Sequence, residues 1–154
     1  MKTYKYIEAP EYIEDGQEIY TDSIFLAGSI TGSHDWQELT SKKLLPMFNI
    51  FNPRRESFNV NDPKDSEMQI DWEFFQLRKV KHILFYFSFE TLAPITLLEF
   101  GAALERGNMH KLYVACHPEY KRKFDVEYQA SKFGVKVYDN LDICIDNAIV
   151  QKYW

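Results

Sequence analysis

Short apolar runs alternate along the chain with longer segments in which apolar residues recur at helical spacing. The runs fall at residues 23–27, 49–51, 82–87, 111–115 and 135–138. The runs at residues 23–27 and 82–87 are the most continuously apolar, which is typical of strands that are buried on both faces of a parallel sheet. The segments that follow them predict five helices, at residues 35–48, 66–79, 94–106, 118–134 and 141–154.

The regular alternation of strand and helix predicts the α/β fold class, with a five-stranded parallel sheet and helices on both faces. We therefore expect a flavodoxin-like (Rossmann-like) three-layer sandwich that forms a single domain over residues 1–154. Residues 1–22, which contain an Asp15-Gly16 turn signal, predict a non-helical arm or hairpin before the main sheet. Ligands of such folds bind beyond the carboxyl ends of the strands, near the point where the strand order reverses.

Two loops follow predicted strands and so lie at this edge. In residues 28–32 the glycines permit close approach of a ligand to the backbone, and Ser29 offers a hydroxyl group to a sugar or phosphate. Residues 52–55 contain Arg54 and Arg55, which are candidate ligands of a phosphate or carboxylate group. The alternative is that both are ordinary solvated surface residues. The glycine spacing fits neither a dinucleotide-binding fingerprint nor a P-loop.

A third segment, residues 92–101, places one carboxyl group among apolar side chains. Pro94 is suited to a first helical position, which puts Glu99 about one and a half turns into a helix. Burial raises the pKa of a carboxyl group while nearby amide dipoles lower it, and such a balance suits a nucleophilic carboxylate. The alternative is a glutamate at the helix edge whose head lies in water.

Polar residues also cluster around Trp72. Ser66 and Gln69 have the spacing of a capping box and predict a helix start at residue 66. Positions 69 and 73 share one helix face and position 71 is offset, so at most two of Gln69, Asp71 and Glu73 reach one site. The alternative is the ordinary enrichment of acidic residues in a first helical turn.

Composition and charge exclude several classes of protein. The 23 acidic residues outnumber the 18 basic ones, which gives a net charge of −5 and disfavours a polynucleotide partner. Cys116 and Cys144 are far apart, so they indicate neither a disulfide framework nor a zinc site. The chain has no secretory segment and no apolar run long enough to cross a membrane, which predicts a cytoplasmic protein.

Six segments of the chain match segments of a known family, and they follow one another in the same order. They are residues 9–11, 24–30 with Trp36 after them, 52–55 (Asn-Pro-Arg-Arg), 69–73 (Gln-Ile-Asp-Trp-Glu), 94–101 and 117–120. On these segments the chain resembles the nucleoside 2-deoxyribosyltransferases, in particular their second, divergent branch. The better-known branch has an aspartate six residues before its nucleophile, where this chain has Ala93.

The resemblance implies a double displacement at the anomeric carbon of a 2'-deoxyribonucleoside, with overall retention of configuration. Glu99 matches the family's nucleophilic glutamate, which forms a covalent deoxyribosyl-enzyme. Asp71 is the first candidate for protonating and holding the base, and Glu73 is the second. No cofactor or metal is implied.

The resemblance also implies a substrate pocket and its partners, a deoxynucleoside and a free nucleobase. The substrate-binding candidates are Gly28, Ser29, Ile30, Arg54, Arg55, Gln69, Trp72, Tyr153 and Trp154. The last two lie at the carboxyl end of the chain, from which the family completes the pocket of a neighbouring subunit. A homo-oligomer is therefore expected.

Two alternatives to base exchange stay open at this point. One is an N-glycosidase of the same fold that hydrolyses nucleoside 5'-monophosphates. Its relatives hold the phosphate with serine hydroxyls and backbone amides, for which Ser29 and a helix start are candidates, and Arg54 and Arg55 also keep this alternative open. The other is a non-catalytic nucleotide-binding protein that has kept the pocket, although the presence of Glu99 argues against it. The sequence leaves the preference for purines or pyrimidines undecided.

Overall fold

A computed structural model describes residues 1–14, 17–56 and 58–153, so the predicted Asp15-Gly16 turn lies outside the described residues. The strands are β1 (Tyr6–Glu8), β2 (Ser23–Gly28), β3 (Asn49–Asn52), β4 (His82–Phe87), β5 (Lys111–Cys116) and β6 (Val137–Tyr138). The helices are α1 (Gln17–Thr21), α2 (Trp36–Leu44), α3 (Pro63–Lys79), α4 (Pro94–Glu105), α5 (Lys123–Lys132) and α6 (Leu141–Lys152). Within these described ranges, none of the helices has the length and apolar character needed to span a membrane.

The strands form one parallel sheet in the order β1-β3-β2-β4-β5-β6. The predicted parallel α/β architecture is confirmed, but the predicted number of five strands was wrong. The sixth strand is β1, which belongs to the predicted arm and pairs with β3, with Ile7 opposite Phe51. The non-helical interpretation of residues 1–22 was also wrong, because α1 follows β1.

The helices cover the two faces of the sheet and create two apolar cores. Successive residues of β2 point to opposite faces, so Ile24 and Leu26 belong to one core and Phe25 and Ala27 to the other. The first core packs against α2 and α6, and the second packs against α3, α4 and α5. This arrangement is the predicted three-layer sandwich.

Two helices begin at other residues than predicted. Asp62 caps α3 by accepting a hydrogen bond from the Lys64 amide at 3.0 Å, with Pro63 as the first helical residue. This aspartate-proline pair is a stronger start signal than the predicted box at Ser66. In α5 the start is Lys123 rather than residue 118, because the preceding residues form turns.

The strand order reverses between β2 and β4. The chain leaves β2 through α2 toward β3 on one side, and it leaves β4 through α4 toward β5 on the other. A crevice therefore opens between the carboxyl ends of β2 and β4, which is where ligands bind in folds of this kind.

The two ends of the described chain meet at the opposite, amino edge of the sheet. The Lys152 side chain, at the end of α6, donates a hydrogen bond to the Tyr4 hydroxyl at 2.8 Å and also contacts the Met47 carbonyl oxygen. Tyr4 precedes β1, and Met47 precedes β3.

Candidate active site

A cavity of about 520 Å³ lies at the reversal point, which is a suitable size for a small ligand. Its walls come from the loop between β2 and α2, from Pro53, from the first half of α3 and from the start of α4. Six of the predicted site residues line it: Gly28, Ser29, Ile30, Gln69, Glu73 and Glu99. The structure therefore brings together residues from three separate segments of the chain.

The start of α4 aims Glu99 at this cavity. Ala93 is the N-cap residue and has a left-handed backbone conformation, with φ of 49° and ψ of 62°, before Pro94 opens the helix. This conformation is strained by about 1–2 kcal/mol in a residue that has a side chain. The Tyr120 hydroxyl supports the turn by donating a hydrogen bond to the Leu92 carbonyl oxygen at 2.7 Å.

Glu99 and Glu73 form a carboxyl pair in the cavity. The pKa of Glu99 is raised to about 8, first by burial and then by the neighbouring Glu73, while Arg106 opposes the rise. Burial also raises the pKa of Glu73, and a hydrogen bond from Gln69 partly offsets this. The pair therefore keeps a proton near neutral pH that exposed carboxyl groups would lose. In the described part of the chain, no three His, Cys, Asp or Glu side chains are grouped to hold a metal ion.

Two buried polar atoms at the cavity, Ser29 Oγ and Gln69 Oε1, have no hydrogen-bond partner among the described residues. Buried polar atoms are normally paired, so these two indicate places where a bound molecule supplies the partner. The Gln69 side chain is held from its other end, because Nε2 donates to the Pro53 carbonyl oxygen at 2.8 Å and to Glu73 Oε1 at 2.9 Å.

The backbone of Ser29 is fixed by three donors. Its carbonyl oxygen accepts hydrogen bonds from Trp36 Nε1 at 3.1 Å, Gln37 Nε2 at 3.2 Å and Ser33 Oγ at 3.0 Å. A Cβ atom at Gly28 would lie 2.3 Å from Trp36 Cζ2. Gly28 therefore has a packing role, because the absence of a side chain makes room for the Trp36 ring. The close approach of a ligand to the backbone that was predicted for this loop is a separate role.

Arg54 binds the same loop instead of pointing into the cavity. Its Nη1 donates to the His34 carbonyl oxygen at 2.8 Å and to Gln37 Oε1 at 3.0 Å. Its Nη2 donates to the carbonyl oxygens of Ile30 at 2.8 Å and Ser33 at 2.7 Å. The guanidinium group thus connects the loop after β3 to the loop after β2, and both of its Nη groups are engaged with protein oxygens.

Arg55 is engaged through Nη2, while its buried Nε has no hydrogen-bond partner among the described residues. Its Nη2 lies 3.4 Å from the Asp65 carboxylate, and its guanidinium lies over the Phe58 ring, 4.9 Å from the ring centroid. Both arginines were predicted either as a phosphate grip or as surface residues, and among the described residues neither lines the cavity.

The other predicted site residues lie elsewhere. Asp71 is exposed and lines a separate surface depression, because the helix rotation carries it away from positions 69 and 73. Trp72 is a core residue whose Nε1 donates to the Glu11 carbonyl oxygen at 3.0 Å. Tyr153 follows α6 and is exposed at the amino edge of the sheet, far from the cavity of its own chain, and Trp154 lies outside the described residues.

Sequence reasoning missed the apolar walls of the cavity, which include Phe58, Ile70 and Ile95. Ile70 and Ile95 are exposed apolar residues on helices. The available signal was their position beside Gln69 and Pro94, away from the apolar stripe that packs on the sheet. A flat ligand with one polar edge suits a cavity of this kind.

The fold and the cavity define a class: α/β proteins with a half-buried pair of carboxyl groups at the strand-reversal point. A family model described as "Nucleoside 2-deoxyribosyltransferase like" matches residues 21–120, a range that contains every residue lining the cavity. The chain belongs to this family. Comparison with curated proteins finds no match.

Proposed function

We propose that this protein is a nucleoside 2-deoxyribosyltransferase, which exchanges the base of a 2'-deoxyribonucleoside and so serves nucleotide salvage. The observation that carries the proposal is the carboxyl pair of Glu99 and Glu73, which lines one cavity in a chain of this family. Glu99 is the nucleophile, because it lies in the cavity on the segment that matches the family's reactive glutamate. Glu73 is the general acid and base.

The reaction takes place in two displacements. The Glu99 carboxylate attacks C1' of the deoxyribose, the bond from C1' to the base nitrogen breaks, and Glu73 transfers its proton to the departing base. An incoming base then attacks C1' and loses a proton to Glu73, and Glu99 leaves again as a carboxylate. Each step inverts C1', so the product retains the original configuration.

Attack requires Glu99 to be ionised while Glu73 holds a proton. In the free site, burial first and the neighbouring Glu73 second raise the pKa of Glu99 to about 8, so Glu99 holds a proton near neutral pH. The mechanism therefore requires this proton to pass to Glu73, whose pKa burial also raises, before Glu99 attacks. Glu73 is preferred over Asp71 because Asp71 lies in a different depression.

The test is an exchange assay with deoxyinosine or thymidine as donor and adenine or cytosine as acceptor. We expect Glu99→Gln to lose more than about a hundredfold in rate, because a covalent nucleophile contributes at least several kcal/mol. Glu105→Gln is the matched control, since Glu105 is an exposed glutamate on the same helix. In the same way Glu73→Gln should slow exchange, and Asp71→Asn should leave it unchanged. A Glu99→Gln variant with near-normal exchange would remove Glu99 from its role.

The hydrolytic alternative receives less support from the site. A nucleoside 5'-monophosphate requires ligands for its phosphate, the Nη groups of Arg54 are engaged with protein oxygens, and neither Arg54 nor Arg55 lines the cavity. Incubation with deoxynucleoside monophosphates and no acceptor base distinguishes the two activities. Release of free base in that mixture would favour the hydrolase.

We further propose that the protein forms a homo-oligomer in which a neighbouring copy covers the mouth of the cavity. Ile70 and Phe74 on α3 and Ile95 and Leu98 on α4 are exposed apolar residues, and two of them line the cavity itself. Exposed apolar clusters of this kind are characteristic of protein contacts. Tyr153 lies too far from its own cavity, so it is available to a neighbouring subunit.

A further inference from the structure

The orientation of the Gln69 side-chain amide is fixed by its surroundings. Gln69 is only 9% exposed, and its two N–H groups are both used, toward the Pro53 carbonyl oxygen and Glu73 Oε1. A carbonyl oxygen can only accept a hydrogen bond, so turning the amide over would place two oxygens against each other at Pro53. The nitrogen therefore stays on the Pro53 side.

The consequence is that Gln69 presents an oxygen, and never an N–H group, to a bound molecule. Gln69 Oε1 is buried and lacks a partner in the part of the chain that the structure describes. A buried acceptor of this kind favours a ligand that places an N–H or O–H group against it. Ser29 Oγ is different, because a hydroxyl group rotates and either donates or accepts, so it imposes no such requirement.

Glu73 lies one helical turn after Gln69 on the same face of α3 and lines the same cavity. In its protonated form it donates to a ring nitrogen, while Gln69 accepts from the substituent next to that nitrogen. In adenine and cytosine this substituent is an amino group, which donates. In hypoxanthine and uracil it is an oxo group, which would put two acceptors face to face.

Resting on the proposed function, we propose that Gln69 makes the site selective for nucleobases with an exocyclic amino group, adenine and cytosine, over their oxo counterparts. The selectivity is for amino over oxo substituents and applies to purines and pyrimidines alike. A site built to pair with a donor discriminates strongly against a base that lacks it, because both facing acceptors are then left unpaired.

The test is calorimetric titration of the full chain with four free bases: adenine, hypoxanthine, cytosine and uracil. We expect at least about tenfold tighter binding of adenine than of hypoxanthine, and of cytosine than of uracil. Gln69→Met, which keeps the length of the side chain, should reduce both ratios to less than about threefold, because it removes the acceptor that favours the amino bases and opposes the oxo bases. Gln76→Met is the control, since Gln76 is a buried glutamine on the same helix that bonds to Tyr20 outside this cavity.

Several outcomes would overturn the selectivity. Equal binding of amino and oxo bases by the unmodified protein would do so, and so would tighter binding of the oxo bases or no binding of any base. A Gln69→Met variant that weakens all four bases equally would show a merely structural role. The exchange assay separates this inference from the proposed function: an amino preference in binding without exchange overturns only the transferase, and exchange without the preference overturns only the selectivity.

Discussion

Glu99 is a carboxyl group in a place where its negative charge is unfavourable. Its pKa is raised from an ordinary value of 4.5 to about 8, chiefly by burial. In the unfolded chain the same group ionises at its ordinary pKa. Between these two values the folded protein binds a proton that the unfolded chain has released, so the free energy of unfolding falls as the pH rises through this range.

We therefore expect Glu99→Gln to stabilise the protein at alkaline pH. Relative to the unmodified chain, its free energy of unfolding should be higher by at least about 1 kcal/mol at pH 8.5, with a much smaller difference at pH 5. Urea unfolding at the two pH values measures this change. Glu105→Gln, at an exposed position on α4, should show no such pH dependence, and an equal effect of Glu99→Gln at both pH values would contradict the expectation.

For individual residues, the local sequence predicted those that line the cavity better than those that fix the surrounding loops in place. Glu99, Gln69 and Glu73 were predicted because each lies in a short pattern with a chemical meaning, a proline helix start or a shared helix face. The contacts of Arg54 were not predictable, since most of its acceptors are backbone oxygens of a loop about twenty residues earlier in the chain. Such contacts depend on the folded arrangement of two strands.

Strand β2 and helix α2 meet at Gly28, and their contact leaves no room for a side chain. A Cβ atom there would lie 2.3 Å from the Trp36 ring and 2.7 Å from the Tyr86 carbonyl oxygen, so the helix or the strand would have to shift. In α4, by contrast, a Cβ atom at Gly101 would meet nothing within 4 Å among the described residues apart from its own neighbours and the backbone of its own helix. Packing therefore requires a glycine at position 28, whereas packing does not require one at position 101.

We expect Gly28→Ala to lower the free energy of unfolding by about 2 kcal/mol or more, because overpacking forces buried groups apart. Gly101→Ala should leave it unchanged or raise it by up to about 1 kcal/mol, since alanine is the better helix former. Urea denaturation of both variants measures the difference. If the two substitutions had the same effect, the packing of Trp36 against Gly28 would not be the constraint described.

Among the elements, the strands and helices of the main sheet were predictable and the first two elements were not. Strand β1 has only three residues, and Ile7 is the buried one, so it lacks the apolar run that marks the other strands. Its place depends on distant backbone contacts, such as the bond from the Ala9 amide to the Asn52 carbonyl oxygen at 3.0 Å. A pattern read along the chain does not contain such a pairing.

The whole molecule presents an apolar surface at the cavity mouth that a second copy would bury. Leu98 is 71% exposed there, and Leu39, on α2 across the sheet, is 64% exposed. We expect the unmodified protein to sediment as a dimer or larger assembly and Leu98→Lys to sediment as a smaller species, because a buried lysine without a partner opposes association. Leu39→Lys should keep the original assembly. A protein that is monomeric at micromolar concentration and fully active would contradict the proposed completion of the pocket.

The bond between Lys152 and Tyr4 places both ends of the chain at one corner of the molecule. A purification tag fused to either end therefore emerges beside Tyr153, the residue proposed to reach a neighbouring cavity. Because the ends are adjacent, a short linker could instead join them, and the chain could be opened at an exposed turn without breaking the sheet. A tag at either end would therefore stand in the way of this proposed contact, and a tag that is cleaved before assay avoids the conflict.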